Sequence, residues 1–267
     1  DGRAGNARQA NALASALAPG DASEFVLRAG LAARWLAPRT WPLLSDPFGP
    51  GFRAACAHPP SIAIGCGRQA ALATRLLRDH GSKAVQLLDP RIDTRHWNLV
   101  IAPAHDRLQG DNILPMRGSL HPVDDLWLAQ ARHDAPHLAA LPSPHTVLLV
   151  GGPTRHAALD DGGFLALLRD LRARARNEGG SFSAVASRRT PPRWRDAMVE
   201  GDSTLPGLRW RDERDGPNPY AGLLAHADRI VCTPDSVNML SEAAATLAPV
   251  FVWSPQVVQG RPRHFID

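Results

Sequence analysis

The apolar positions of the chain fall into short runs that predict buried strands. These runs lie at 61–65, 85–88, 99–102, 112–116, 146–150, 182–186, 229–233 and 250–253, with shorter candidates at 25–28 and 208–211. Segments with an apolar period near 3.6 residues separate them and predict helices at 7–17, 68–79, 124–141, 163–178, 192–199 and 219–227. Strands that alternate with helices are typical of parallel sheets. The pattern therefore predicts an α/β fold.

The alternation of strands and helices starts twice along the chain. A proline-rich linker, Pro142-Ser143-Pro144, ends the first series, and the second series begins with the strand at 146–150. The 267 residues are long for one domain and suit two domains of ordinary size. We therefore expect an N-terminal domain at 1–142 and a C-terminal domain at 143–267.

The stretch 229–254 combines a strand, a turn, a helix and a second strand. Thr233 precedes Pro234, which ends the first strand, and Asp235 and Ser236 are both good N-cap residues for the helix. At 100° per residue, the face of this helix opposite its apolar stripe carries Asp235, Met239 and Glu242. Because ligands bind at the carboxyl ends of parallel strands, we expect this face to look onto a ligand site.

Two further turns follow strands of the same half. Gly151-Gly152 comes after the strand at 146–150, and glycines there let backbone N–H groups approach a phosphate. Arginine and hydroxyl side chains at 187–190 follow the next strand and could clamp a diphosphate. A simple tight turn and solvated surface arginines remain the alternatives. The candidate ligand-binding residues here are Gly151, Gly152, Thr154, Ser187, Arg188 and Arg189.

The first half contains comparable turns. The segment 1–6 resembles a strand-to-helix glycine turn, and 65–68 is another, so the candidate ligand-binding residues here are Gly2, Arg3, Gly5 and Arg68. His105 and Asp106 follow the strand at 99–102, where a carboxylate could act as a general base. The alternative for Asp106 is a structural residue that caps a turn. The histidines show no metal-binding pattern, and we predict neither a metal site nor a cofactor.

The charge of the chain limits which molecules it is expected to bind, and its cysteines indicate the redox compartment. The net charge of +4 is too small and too dispersed to indicate nucleic-acid binding. Lys83 is the single lysine among thirty basic residues, which reflects either coding bias or recognition of anions by arginine. Three cysteines, Cys56, Cys66 and Cys232, lack metal-site spacing, and we expect them to be reduced core residues of a cytoplasmic protein.

The segment 31–60 is rich in proline and carries bulky aromatic residues, among them Trp35 and Trp41. No apolar run reaches the roughly 18 residues that a membrane-spanning helix needs. Exposed arginines together with this segment predict a peripheral contact with anionic lipid headgroups at the inner face of a membrane. The alternative is that the segment only wraps the domain.

Several motifs together resemble the mitochondrial-fission ELM family, whose bacterial members are often labelled nucleoside-diphosphate-sugar epimerases. The resemblance covers nearly the whole chain, and it depends on the order and spacing of the motifs rather than on any one of them. The matching motifs are DGRAGNARQ at Asp1, IGCGR at Ile64, LLDP at Leu87, VIAPAHD at Val100, LLVGGPTRH at Leu148, SRRTP at Ser187, NPYAGLLAHAD at Asn218 and TPDSVNMLSEA at Thr233.

This resemblance implies a GT-B-like fold of two Rossmann-like domains with parallel sheets that face each other across a cleft. The second half is also similar to the donor-binding half of lipid-linked cell-wall glycosyltransferases. That similarity implies that the glycine turn holds a diphosphate and that a helix with a Ser and a Glu holds base and ribose. The residues concerned are Gly151, Gly152, Ser236 and Glu242, and the family motif adds Asn218 and Tyr220 as ligand-binding candidates.

The family resemblance leaves three functions open. The first is a metal-independent glycosyltransferase that binds a nucleotide-diphospho-sugar, with Asp106 deprotonating an acceptor of unknown identity. The second is a nucleotide-sugar 2-epimerase. The third is a non-catalytic adaptor, as the part of plant relatives in organelle division implies. Family members can carry His where this chain has Asn6, and if that position is a catalytic base in enzymes of this type, its loss here weakens the case for catalysis. One fold hosts many functions, so the fold itself does not decide among them.

Overall fold

The computed structural model describes residues 4–41, 46–200, 204–254, 258–260, 263 and 266. Contacts between backbone segments divide the chain into two compact units, Asp1–Pro122 and Val123–Asp267. Each unit contains a parallel sheet with helices connecting its strands. The predicted α/β fold with two parallel sheets is confirmed.

The first unit has a four-stranded sheet with the order β1-β2-β3-β4. All three strand pairs are parallel, and the central strands β2 and β3 are mostly buried. Helix α4 is amphipathic and buries Leu72 and Leu77. The elements are α1 (Ala4–Leu17), α2 (Leu31–Leu36), α3 (Pro50–Ala57), β1 (Ile62–Cys66), α4 (Arg68–Asp79), β2 (Lys83–Leu87), β3 (Leu99–Pro103) and β4 (Ile113–Met116).

The second unit has a five-stranded parallel sheet with the order β7-β6-β5-β8-β9. The chain moves outward from β5 to β6 and β7, and then crosses to the other side of β5 for β8 and β9. The elements are α5 (Asp125–Asp134), β5 (His145–Val150), α6 (Asp161–Asn177), β6 (Ser181–Ala186), α7 (Pro192–Val199), β7 (Arg209–Trp210), α8 (Tyr220–His226), β8 (Arg229–Cys232), α9 (Val237–Ala244) and β9 (Val250–Val252). This is the doubly wound order, and its switch point lies between β5 and β8.

Hydrophobic clusters cover both faces of the second sheet. Every residue of β5 and β6 is buried. On one face, residues of α5, α8 and α9 form a cluster that includes Leu224 and Leu240. On the other face, α6 and α7 contribute Phe164 and Trp194, whose rings stack 4.1 Å apart. Because packed interiors resist deformation, the carboxyl ends of β5, β6 and β8 are held at fixed positions.

The compact units divide 20 residues before the boundary expected at Pro142, between Pro122 and Val123. The reason is α5, whose Leu128 and Ala131 belong to the same core cluster as Leu224. The helix predicted at 124–141 ends at Asp134 and is followed by a 3-10 turn at Pro136–Ala140. Proline lacks the N–H that would continue an α-helix, and it disfavours helical backbone in the preceding residue.

Two predictions for the first unit are wrong. Residues 25–28 form no strand, although Phe25 does pack against Phe52, with ring centroids 6.1 Å apart. Gly5 lies inside helix α1 rather than in a glycine turn. The segment 31–60, whose structure the sequence left open, contains the short helices α2 and α3. Gly2 and Arg3 lie outside the described residues.

Candidate functional site

The loops that follow β5 and β8 interlock at the switch point. The backbone N–H of Gly151 donates a hydrogen bond of 2.7 Å to the hydroxyl of Thr233. That hydroxyl in turn donates to Oδ1 of Asp235, also at 2.7 Å. A Cβ atom on Gly151 would overlap the carboxylate of Asp235. Glycine is therefore required here by close packing, and its N–H is already engaged within the protein.

Arg189 joins this interlocked pair of loops from the end of β6. Its guanidinium donates to Oδ2 of Asp235 at 2.5 Å. The side chain of Asp235 is 0% exposed, whereas that of Arg189 is 51% exposed. A Cβ atom on Gly152 would overlap the backbone carbonyl of Arg189. The two glycines thus allow the loops after β6 and β8 to close onto the loop after β5.

The turn after β6 is held by hydroxyl groups. The hydroxyl of Thr190 donates to the carbonyl of Val150 at 2.8 Å and accepts from the N–H of Ser187 at 2.9 Å. The hydroxyl of Ser187 accepts from the N–H of Arg189 at 3.2 Å. Arg188 is exposed, and it makes no hydrogen bond or ion pair with any residue in the described ranges. Of the two neighbouring arginines, Arg188 is therefore the uncommitted cation.

Helix α9 begins at the switch point, where Ser236 is its N-cap. The hydroxyl of Ser236 accepts from the N–H of Met239 at 3.4 Å. The helical period predicts Asp235, Met239 and Glu242 on an open face of one helix. Asp235 instead lies before the helix, and all three residues are buried, with exposures of 7%, 8% and 4% respectively. The helical period does not extend to Asp235 because the helix starts only after Ser236.

Tyr220 and Glu242 connect helices α8 and α9. The phenol hydroxyl of Tyr220 donates to Oε2 of Glu242 at 2.5 Å. Asn218 accepts the backbone N–H of Tyr220 at 3.0 Å in the turn before α8, whose N-cap position is occupied by Pro219. The structure therefore brings Tyr220 and Glu242, which the sequence nominated from separate motifs, into direct contact.

Other nominated residues serve local structure. The hydroxyl of Thr154 accepts from the N–H groups of His156 and Ala157, at 3.3 Å and 3.2 Å, within a turn. Arg68 donates to three backbone carbonyls at the end of α2, at 3.0–3.3 Å, those of Arg34, Trp35 and Ala37. Arg68 therefore fastens α2 to the start of α4, and its guanidinium is engaged by the protein itself.

His105 and Asp106 lie in the first unit, in a 3-10 turn directly after β3. Nε2 of His105 is 3.8 Å from Oδ1 of Asp106, and the two side chains are 11% and 7% exposed. The strand therefore delivers both groups to the carboxyl edge of its sheet, as expected. A carboxylate beside an imidazole can accept a proton, and the same pair can equally stabilise the turn.

Thr233 is a site residue that the sequence did not indicate, and Thr190, expected only as a hydroxyl that could help to clamp a diphosphate, instead holds the turn after β6. Each follows a strand directly or by a few residues, and each uses its hydroxyl both as donor and as acceptor. A threonine before proline at a strand end was visible for Thr233. One partner of its hydroxyl, Asp235, is only two residues away, but the other, the N–H of Gly151, lies 82 residues earlier in the chain, and no local pattern reveals that contact.

Metal ligation and membrane insertion receive no support within the described ranges. There, no group of three His, Cys, Asp or Glu residues is arranged to hold a metal ion. No helix among the same residues is both long enough and apolar enough to cross a membrane.

Sequence comparison relates the chain to curated proteins. It is 31% identical over 225 residues to mitochondrial fission protein ELM1 of Arabidopsis thaliana, covering 72% of this chain and 51% of that protein. It is 23% identical over 236 residues to the uncharacterized protein RP120 of Rickettsia prowazekii, covering 74% of this chain and 65% of that protein. The chain therefore spans between half and two thirds of the length of these relatives.

Structure comparison finds more distant similarities. The UDP-GlcNAc 2-epimerase of Neisseria meningitidis bound to UDP-GlcNAc matches with a TM-score of 0.47 and 12% identity, over 77% of this chain and 62% of that one. MurG of Acinetobacter baumannii matches with a TM-score of 0.38 and 17% identity, over 78% of this chain and 56% of that one. The family model described as mitochondrial fission ELM1 matches residues 4–267. The chain belongs to the mitochondrial fission ELM1 family.

Proposed function

We propose that the second unit binds a nucleotide-diphospho-sugar, with the diphosphate at the switch point between β5 and β8. The observation that carries this proposal is the pair of arginines at the end of β6. Arg188 is exposed and uncommitted, and half of the Arg189 side chain is exposed beside the interlocked loops. Arginine forms charge-assisted hydrogen bonds with phosphate oxygens without a metal ion.

The start of α9 supports the same position for the diphosphate. Ser236 caps this helix, and the first N–H groups of a helix carry partial positive charge that favours an anion. Asp235 does not oppose a phosphate strongly, because its carboxylate is covered and paired with Arg189. The contribution of Gly151 is packing rather than a free N–H, which changes its role from the one implied by the resemblance.

Glu242 is the candidate for binding the ribose. It lies six residues after Ser236, which corresponds to about 9 Å along a helix axis at 1.5 Å per residue. That length matches the separation between a diphosphate and the far hydroxyls of its ribose. Tyr220 donates its hydroxyl to Glu242 at 2.5 Å, and Glu242 is only 4% exposed, so contact with a ribose requires this pair to open toward the ligand. The sugar itself is proposed from the motif resemblance alone.

Transfer of the sugar is the reaction that we propose, with Asp106 as the candidate base, and 2-epimerisation is the enzymatic alternative. The adaptor alternative requires no turnover. A thermal-shift screen of nucleoside diphosphates and nucleotide sugars is the first test, followed by a hydrolysis assay on each compound that stabilises the protein. A compound that binds without turnover favours an adaptor. No stabilisation by any member of the panel would refute the proposed function.

Two variants test the position of the ligand. Arg188→Ala removes a phosphate partner, and Glu242→Gln weakens the ribose contact. Loss of a charge-assisted hydrogen bond of about 1.5–3 kcal/mol corresponds to roughly tenfold to a hundredfold in affinity. Arg169→Ala is the matched control, because Arg169 pairs with Asp170 on the surface of α6. Calorimetry that finds wild-type affinity in both site variants would contradict the assignment.

A specific observation also favours the peripheral lipid contact. Between residues 25 and 41 the chain exposes arginines and contains no acidic residue. Four large apolar side chains in this stretch are 57–84% exposed, those of Val26, Leu31, Trp35 and Trp41. We propose that this face contacts anionic lipid headgroups, which attract arginine while tryptophan enters the interface.

Liposome co-sedimentation tests the lipid contact. Binding should require anionic lipid and should fall in Trp35→Ser. Leu126→Ser is the matched control, because Leu126 is 79% exposed in the second unit. Equal and negligible binding to neutral and anionic vesicles would exclude the contact.

A further inference from the structure

We infer that Asp235 is a positioning residue that holds Arg189 in the orientation in which it receives a phosphate. This inference rests on the proposed function of the switch point, and it assigns different roles in anion binding to Arg188 and Arg189. Arg189 is the preorganised partner of the anion, and Arg188 is the one that no polar contact among the described residues holds in place.

The carboxylate of Asp235 is fixed before it meets any ligand. Its Oδ1 accepts from the hydroxyl of Thr233 at 2.7 Å, and that hydroxyl is itself fixed by the N–H of Gly151 at 2.7 Å. The space that a side chain at 151 would fill is occupied by this carboxylate. With 0% of its side chain exposed, Asp235 has no access to solvent or ligand of its own.

The fixed carboxylate of Asp235 holds the guanidinium of Arg189 in place. One of its terminal nitrogens donates to Oδ2 of Asp235 at 2.5 Å, while 51% of the side chain remains exposed. Its own backbone is held as well, because its N–H donates to Ser187 and its carbonyl packs against Gly152. A guanidinium has five N–H donors in a planar fork, so donors remain for an anion. A side chain that is already ordered loses less entropy when the ligand binds.

Arg188 provides the contrast. It occupies the adjacent position, is exposed, and has no polar partner among the described residues. An anion that engages Arg188 must order a long side chain, whereas one that engages Arg189 meets an ordered one. The buried carboxylate therefore contributes to anion binding through Arg189 and not by contact with the anion.

The direction in which Asp235→Asn changes anion affinity distinguishes positioning of Arg189 from simple repulsion between Asp235 and the anion. Asp235→Asn removes a negative charge near the proposed anion site, which by itself would strengthen anion binding. If Asp235 positions Arg189, the same substitution weakens binding, by about threefold to tenfold, the range expected for immobilising one long side chain. Calorimetry with inorganic pyrophosphate measures this change. Asp170→Asn is the control, because it removes the same charge from an exposed pair on α6.

Two further measurements exclude a merely structural effect. In the Arg189→Ala background, Asp235→Asn should cause no additional loss of pyrophosphate affinity, because a positioning residue acts only through its partner. In the ligand-free protein, the Nε–H resonance of Arg189, assigned by its disappearance in Arg189→Lys, should report greater mobility in Asp235→Asn. If Asp235→Asn unfolds the protein, Thr233→Val, which releases the carboxylate by removing one hydroxyl, should show the same loss.

Each outcome is decisive. Weaker binding in Asp235→Asn that disappears in the Arg189→Ala background supports the inference. Equal or tighter binding in Asp235→Asn, or an additional loss without Arg189, overturns it while leaving the proposed function intact. Failure of the wild-type protein to bind pyrophosphate or any nucleoside diphosphate overturns both.

Discussion

Replacing Gly151 by alanine would place a methyl group where the carboxylate of Asp235 lies. The added Cβ would come closer than 3.0 Å to that carboxylate, a separation that real Cβ atoms essentially never show. Because the carboxylate is fully buried, it has no solvent to move into. We therefore expect Gly151→Ala to displace Asp235 and to break its hydrogen bonds with Thr233 and Arg189.

The expected magnitude follows from these two effects. Overpacking a tight interior costs about 1–3 kcal/mol, and loss of a charge-assisted hydrogen bond costs about 1.5–3 kcal/mol. Together they lower the free energy of unfolding by about 4 kcal/mol. At about 2–4 °C per kcal/mol for a domain of this size, the melting temperature of the second unit should fall by about 10 °C.

Differential scanning calorimetry, with Gly162→Ala as the matched control, measures this effect. Gly162 lies in the first turn of α6, where an added Cβ would be 3.3 Å from the exposed N-cap side chain of Asp160. The control should melt close to the wild-type temperature. Asp235→Ala added to Gly151→Ala should recover part of the loss, because it removes the overlapping atoms. A Gly151→Ala protein that melts within about 2 °C of its control would refute this account of the glycine.

Three further predictions concern other parts of the chain. Tyr220→Phe removes the hydrogen bond to the buried Glu242 and should lower the free energy of unfolding by about 1.5–3 kcal/mol, measured by urea titration. Burial lowers the pKa of His145 below its usual value of about 6.5. Its neutral form therefore stabilises the fold above about pH 6.5, and this contribution is lost as the pH falls through the lowered pKa. The urea midpoint of the wild-type protein should decline between about pH 6.5 and pH 5, and His145→Asn should flatten this decline. Brief iodoacetamide treatment at about pH 8 should label the partly exposed Cys56 before Cys232, because Cys232 is buried and its pKa is raised to about 12; mass spectrometry that finds Cys232 labelled first would contradict this.

The strands and most helices could be predicted because their signals are local. The apolar runs of β5 and β6 are buried on both faces, and α4 occupies the predicted range 68–79. The segment 25–28 has the composition of a strand but pairs with no strand among the described residues. Strand composition alone therefore does not produce a strand, because a neighbouring strand must pair with the segment. Similarly, α5 follows the first series in sequence but packs with the second unit, and only tertiary contacts reveal that.

The candidate site could be predicted only to the level of which strand ends meet. Parallel order brought Gly151, Arg189 and Ser236 to one edge, and this followed from the alternation of elements. The ion pair between Arg189 and Asp235 links residues 46 positions apart, and no periodicity encodes it. For the same reason, the engagement of Arg68 by backbone carbonyls of α2, 31–34 residues away, was not visible in the sequence.

The packing of α5 against α8 has a practical consequence for dividing this protein. Leu128, Ala131 and Leu138 are almost fully buried in the cluster that contains Leu223 and Leu224. A fragment that starts at Ser143 would lose these three side chains and present the apolar surface of α8 to water. Large exposed apolar patches promote aggregation. A fragment that starts at Val123 keeps that surface covered. The linker prolines at 142 and 144 are therefore a poor place to divide the chain, although their composition is typical of a domain boundary.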